Sequence, residues 1–323
     1  MATGTGLDAQ IGYVVETTYG TAATVTRFHP LVSETLKADI DMVESNATFA
    51  GFQTIASQQW AQGNKTISGD VMHELYDQDM GLLMRAAFGT VSTVSAGGTG
   101  THTFFPASPI VSFTAQVGRP TIYGSVIPFT YEGLKISSWE LGADAGQIAT
   151  WKMSVLGEEE TIILSQGTAL ASASYTSGMK PWLFKSMSVS LLGTTTPVSS
   201  FKIAGDNKLA ERRFLGSTII SEPLRQDYAE YTGELKGEWG NPSSRGTLNY
   251  HAFAGGTEGT LIAALTSGTL AATIQANIRY NGTTPNVSGR GIVEHSMPFK
   301  IIRSGSLEQH GLTVTLVNNQ TTA

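Results

Sequence analysis

NKTISGDV, residues 64–71, alternates along an extended chain: Ile67 and Val71 fall on one side, Thr66, Ser68 and Asp70 on the other. TGELKGEW, residues 232–239, repeats the pattern 168 residues later (237 minus 69, glycine on glycine). Here Leu235 and Trp239 take the dry side, and Glu234, Lys236 and Glu238 the wet one. Working outward, IQANIRY (274–280), MSVSLL (187–192), LTVTLV (312–317), GLKISSWEL (133–141) and WKMSVLG (151–157) also read as strands, their polar partners mostly uncharged. The period-2 pattern predicts a mainly β protein.

The two ribbons belong to a longer series of echoes. TIAS (54–57) matches TIIS (218–221), each preceded by Phe-x-Gly at 49–51 and 214–216, and IPF (127–129) matches MPF (297–299). The echoes keep the same order, which predicts a tandem duplication. The small polar run SQGTALASASYTSG (165–178) then separates an N-terminal module, 1–165, from a related C-terminal module, 179–323. Each module is expected to hold one short helix. DQDMGLLMRAAFG (77–89) has acidic residues first, Met80, Leu83, Met84 and Ala87 at helical spacing, and a closing glycine. TEGTLIAALTSG (257–268) offers Thr257 as N-cap and Leu261, Ala264 and Leu265 as its stripe.

Composition narrows the function classes. Of 323 residues 41% are hydrophobic, enough for a core, while only 14% are charged, which suits turn-rich β structure or a surface covered by other subunits. A net charge of −6 argues against a protein that grips nucleic acid through its phosphates. The chain has no cysteine, hence no disulfide frame, thiol nucleophile or Cys-ligated zinc. The start, MATGTGLDAQ, shows no secretory pattern, and the apolar runs are too short to span a bilayer. A soluble protein made in the cytoplasm is expected.

Catalytic patterns are missing from the sequence. The six histidines have no HxH or HExxH spacing, and neither a GxxxxGK[ST] phosphate loop nor a GxSxG elbow occurs. Glu158, Glu159 and Glu160 are adjacent, but consecutive strand residues face opposite ways, so they read as a solvated strand end. No enzyme activity and no cofactor are expected.

The stretch IGYVVETTYGTAATVTRFHPL (11–31) resembles the opening of the major tail tube proteins of long, non-contractile-tailed bacteriophages, with a Glu-Thr-x-Tyr-Gly-Thr pattern at Glu16 to Thr21. FKIAGDNKLAERRFLGS (201–217) is similar to that family's strand and Asp-Asn turn, and EHSMPFKII (294–302) to its closing Pro-Phe strand. The resemblance implies a virion structural protein, synthesised in the host bacterial cytoplasm and resident in the phage tail. Its modules would be β-sandwiches or half-barrels flanked by a short helix, two in tandem or one tube module followed by a surface decoration domain. They would assemble into a shared multi-subunit β-barrel whose rings, trimeric or hexameric, stack around a channel that conducts DNA. The expected partners are other copies of the chain and tail proteins such as the tape measure and tail terminator, with DNA as passing cargo and no membrane.

Within that frame Thr66, Ser68, Asp70, Glu234, Lys236 and Glu238 are expected to face the lumen, Lys236 pairing with Glu234 or Glu238. An ordinary outer solvent face is the alternative. A stacking loop is expected at about 39–63 with a counterpart at about 205–230. Tyr19, Gly20, Phe49, Phe52, Trp60 and Phe214 are the candidate ring-stacking and assembly residues, and the alternative for the loop aromatics is that they cover the module's own core. A surface-binding β protein, an adhesin or carbohydrate-binding module, is the competing class.

Overall fold

The computed structural model describes residues 4–162, 169–239, 255–281, 284, 286–287, 289–304 and 310–322. Among these residues nineteen strands join into one connected antiparallel sheet, and a separate two-stranded ribbon pairs Leu209–Arg212 with Ser221–Arg225. Every segment read as a strand from its alternation is a strand.

The connected sheet has two parts that share the 19-residue strand Val126–Asp144. The smaller part runs Arg27–His29, Gln10–Val15, Phe113–Pro120, the first half of Val126–Asp144, then Glu159–Ile162. The larger part begins at Lys37–Glu44 and continues through Trp60–Glu74, Thr150–Gly157, the second half of Val126–Asp144, Ser200–Asp206, Glu230–Glu238 and Glu294–Ile301. Beyond it, Leu270–Tyr280 pairs with Glu258–Ser267, and through Leu312–Asn318 with the hairpin Gly89–Ala96 and Thr99–Pro106.

The change of sheet is made at Gly133, with φ +64°. A Cβ there would stand 2.8 Å from the Glu158 Cβ and 3.0 Å from the Tyr19 ring. Only glycine reconciles that left-handed backbone with the packing.

One α-helix, Gly81–Phe88, lies among the described residues, closed by Gly89 at φ +97°. It starts later than the acidic run suggested, because Asp79 sits at φ +65° and spends its carboxylate on Arg27 instead of on a helix N-terminus. The helix packs Phe88 4.9 Å from Trp139, which stacks on Trp151 at 5.3 Å, so it backs the larger part of the sheet.

The second expected helix is a correction. Residues 258–267 form the strand Glu258–Ser267, with Leu261, Ala263 and Leu265 buried on one side. Its partner Leu270–Tyr280 returns through a tight turn at Gly268, φ +63°, and ten cross-strand pairs outweigh a weak local helix preference. The run read as a module boundary has no regular structure over 169–178, yet it is tied down: Ala171 donates its N–H to Gln116 Oε1 at 2.8 Å and its carbonyl accepts from Gln10. Residues 165–168 of that run lie outside the described residues.

Several polar groups are buried in this core. Tyr13, His29 and His73 meet with ring centroids 5.4 to 5.8 Å apart. The Tyr13 hydroxyl and His73 Nε2 are 2.8 Å apart, and His73 Nδ1 lies 2.8 Å from the Pro30 carbonyl, while neither nitrogen of His29 has a partner among the described residues. Burial holds both imidazoles below the ordinary histidine range, His73 at about 4. Asn207 donates to the carbonyls of Ala87, in the helix's last turn, and of Ile136.

Candidate functional site

The two ribbons of the opening are strands of one wall. Trp60–Glu74 and Glu230–Glu238 lie in the larger part of the sheet with three strands between them, and their polar sides point the same way. Cross-strand partners form rows over this face: Asp70, Ser154, Ser138, Asp206 and Glu230 in one; Met72, Lys152, Glu140, Ala204, Thr232 and Lys300 in the next; then Glu74, Thr150, Gly142, Lys202, Glu234 and Pro298. A further row joins Asp144, Ser200, Lys236 and Ser296. The opposite side of the same strands is dry: Val71, Met153, Trp139 and Tyr231, then His73, Trp151, Leu141, Ile203 and Phe299, are all buried.

The polar face is concave. It encloses an open groove of about 810 Å³ lined by Asp70, Ser138, Glu140, Lys152, Ser154, Asp206, Glu230 and Thr232 among others. Nine carboxylates (Asp70, Glu74, Glu140, Asp144, Asp206, Glu230, Glu234, Glu238 and Glu294) share it with four strand lysines (Lys152, Lys202, Lys236 and Lys300), and Lys208 reaches Asp206 and Glu230 from the turn beside them. The lysines are committed: Lys152 and Lys202 both reach Glu140, Lys300 holds Glu230 at 2.7 Å, and Lys236 pairs with Glu234 at 3.7 Å. Lys300 and Lys208 hold the Glu230 carboxyl below its usual range. Such exposed pairs add about 0–1 kcal/mol each to stability. Their larger effect is to neutralise every wall lysine and leave surplus negative charge. Of the six residues expected on the wet face, Ser68, Asp70, Glu234, Lys236 and Glu238 belong to this wall. Thr66 lies just past its end, where its hydroxyl accepts from Arg213 at 2.6 Å.

Beyond Ile67 the strand Trp60–Glu74 leaves the wall and, with Lys37–Glu44, forms a two-stranded arm tipped by residues 45–59. The arm carries acidic residues, Asp39, Asp41 and Glu44, and leaves a set of apolar side chains bare. Ile40, Met42, Val43, Phe49, Phe52, Ile55 and Trp60 are between 44% and 74% exposed. A patch of this kind marks a contact surface. Phe49, Phe52 and Trp60 therefore do not cover the chain's own core. At the arm's base the Lys65 N–H donates to the Thr218 carbonyl at 2.7 Å, placing the loop of Phe214 (60% exposed) and Leu215 beside it.

Tyr19 and Gly20 sit elsewhere, inside the bend that joins the two parts of the sheet. The Glu16 carboxylate gathers the N–H groups of Gly20 (3.1 Å) and Gly133 (2.8 Å) and the Thr114 hydroxyl (2.9 Å), so this opening motif is a clasp on the bend. Sequence reasoning missed Lys135, buried in the sheet and paired with Glu222 at 2.7 Å, because an isolated lysine in a strand carries no sign of burial. It also missed Arg119, whose guanidinium grips the Glu34 carboxylate twice at 2.9 Å.

A concave polar wall backed by a dry core and a helix, with a bare arm at one end, defines a mainly β protein with an exposed contact surface. The family model for phage tail tube proteins matches residues 6–301, and the chain belongs to that family. It is a structural component of the virion tail that self-assembles into a tube with other tail proteins. No curated protein sequence matches the chain. No helix among the described residues is long and apolar enough to cross a membrane.

Proposed function

We propose that copies of this chain close side by side into rings, that the concave polar face lines a channel for DNA, and that the rings stack through the arm at 37–63. The observation that carries this reading is the continuous polar wall of six antiparallel strands, curved toward its wet side. A barrel wide enough for duplex DNA needs more strands than one chain supplies, since 16–18 strands open only a small channel. Ring closure also removes the sheet edges that would otherwise invite uncontrolled pairing.

The surplus of carboxylates suits a conduit. DNA carries about one charge per 1.7 Å of axis, and a lysine-lined channel would hold it through counterion release. An acidic wall whose lysines are already paired repels it weakly, within a screening length of about 8 Å at physiological salt, so the DNA slides. In this reading Ser68, Asp70, Glu234, Lys236 and Glu238 face the lumen with Thr66 at its rim. Phe49, Phe52, Trp60 and Phe214 meet neighbouring rings, and Tyr19 and Gly20 hold the bend that sets the wall's curvature. The tape measure and tail terminator are the other partners, and the chain is made in the host cytoplasm.

The tandem duplication fits the same picture. The wall strands Trp60–Glu74 and Glu230–Glu238 begin 170 residues apart, and the hairpins that begin at Gly89 and Glu258 (offset 169) and return at Thr99 and Leu270 (offset 171) keep nearly the same spacing. Two modules per chain make a ring of three chains with six modules. A cryo-EM reconstruction of the assembled tube tests all of this: a three-fold ring with Asp70, Glu140 and Glu234 pointing inward is expected. Those side chains on the outer surface would overturn the channel assignment.

A further inference from the structure

We infer that a small groove at the far end of the wall receives the arm of the next copy along the tube. The inference rests on the stacking role proposed for the arm and names the surface that completes it. The groove, of about 240 Å³, lies at the end of the wall where Val126–Asp144 stops and Ser200–Asp206 starts; Ala143, Phe184, Val189, Val198 and Phe201 give it an apolar floor, and Ser188 and its neighbouring threonines and serines a polar rim. Phe184, at 43% exposure, stands on its lip. It is too small for a typical ligand, for which pockets run to about 300–1,000 Å³, and of a size to admit one large side chain.

Its position is what selects the occupant. The arm leaves the wall at Ile67, level with Gly157, whereas Glu74, level with Thr150, marks the opposite end beside the groove. Those seven residues of strand span about 23 Å, so arm and groove occupy opposite rims of one sheet. Two copies related by a two-fold axis would bring arm to arm. A head-to-tail stack, with different surfaces on the two partners, brings the arm of one copy to the groove of the next and repeats without limit. From Lys37 to Glu44 the arm extends about another 23 Å before its tip, so Phe49 and Phe52 reach well past their own rim.

Charge agrees on one lip. Lys185, beside Phe184, has no ion pair among the described residues, and neither do Asp41 and Glu44 on the arm. Asp144 forms the other lip, so the acidic arm approaches from the Phe184 side. One aromatic ring seated in a desolvated groove, with a charge pair at its edge, is a common form of interface anchor.

The absence of cysteine makes the test clean. Phe49→Cys/Ser188→Cys and Phe52→Cys/Ser188→Cys are assembled as full-length tubes and oxidised. At least one pair should give a ladder of covalent multimers on a non-reducing gel, whereas the single variants stop at dimers. Tubes that form normally but give no ladder with either pair would overturn the groove assignment and leave the stacking role of the arm intact. An unmodified chain that never forms rings or tubes would overturn both. Ser188→Trp, which fills the groove from an exposed strand position, should keep the parent's thermal midpoint while shortening tubes at least tenfold. Full-length tubes from it refute the inference.

Discussion

Lowering the pH from 7 to 4.5 should destabilise the unassembled subunit through the buried histidine pair. His73 is held at about 4, by burial first and against the pull of its hydrogen bond to Pro30, while an unfolded histidine titrates near 6.5. The neutral form is thus the folded form. Its stability is fully present above about pH 6.5 and is lost as pH falls toward 4, because over that window the unfolded chain binds the proton and the folded chain does not. At about 1.36 kcal/mol per pH unit the full effect is about 3 kcal/mol, most of it developed by pH 4.5. His29 is shifted in the same direction by burial, by His73 and by Arg27, and adds to the loss. Tyr13 faces both rings, Arg27 lies on the His29 strand, and Glu34 acts on Tyr13 from the neighbouring segment. Glu132 and Glu158 work in the opposite sense: burial and neighbouring carboxylates push them up, so protonation at low pH favours the fold. The histidine contribution is therefore read as a difference. Urea unfolding of the wild-type chain and of His29→Leu/His73→Gln is followed at pH 7, 5.5 and 4.5. The wild type should lose about 2–3 kcal/mol more than the variant between the first and last conditions. Equal losses in the two chains would refute the argument that the pair is kept neutral.

Other outcomes follow from single contacts. Asn207→Ala strands the carbonyls of Ala87 and Ile136 and should cost about 2–3 kcal/mol in chemical denaturation; a loss below about 0.5 would mean that water replaces the amide. Gly133→Ala forces a Cβ into Glu158 and Tyr19 at positive φ and should lower stability by about 2 kcal/mol or more, read by calorimetry. Glu34→Gln weakens the twofold grip on Arg119 and should cost about 1–3 kcal/mol, seen as a lower thermal midpoint at pH 7. Phe49→Ser/Phe52→Ser/Trp60→Ser changes only exposed side chains, so its unfolding free energy should stay within about 0.5 kcal/mol of the parent's for each site. The same variant should lose tube formation in negative-stain images.

The strands were legible because alternation is a local property: Ile67, Val71 and Leu235 face the core and their neighbours do not. The helix was legible from Leu83, Met84 and Ala87 and the glycine that stops it. Residues 257–268 were misread because Leu261 and Leu265 satisfy both periods; Ala263 decides between them, and it is buried only because a strand twelve residues on pairs with this one. That two distant ribbons share a wall face was suggested by their echo. The three strands between them, and the groove they curve around, depend on long-range pairing that no local pattern encodes. The buried polar groups were the least readable. Lys135, Asn207 and the His29–His73 pair look like any surface residues until the fold supplies their surroundings.

The strand Ser200–Asp206 lies against Val126–Asp144 over seven consecutive residue pairs, joining the two halves of one chain edge to edge. A seam of this kind between separate molecules would cost about 4–15 kcal/mol of translational and rotational freedom each time it formed. Here that cost is met once, when the chain folds, and its register cannot slip by two residues without dragging Trp139 and Ile203 out of place. A wall built from such chains inherits a share of its seams already aligned, so fewer docking events remain in which a growing tube can go wrong.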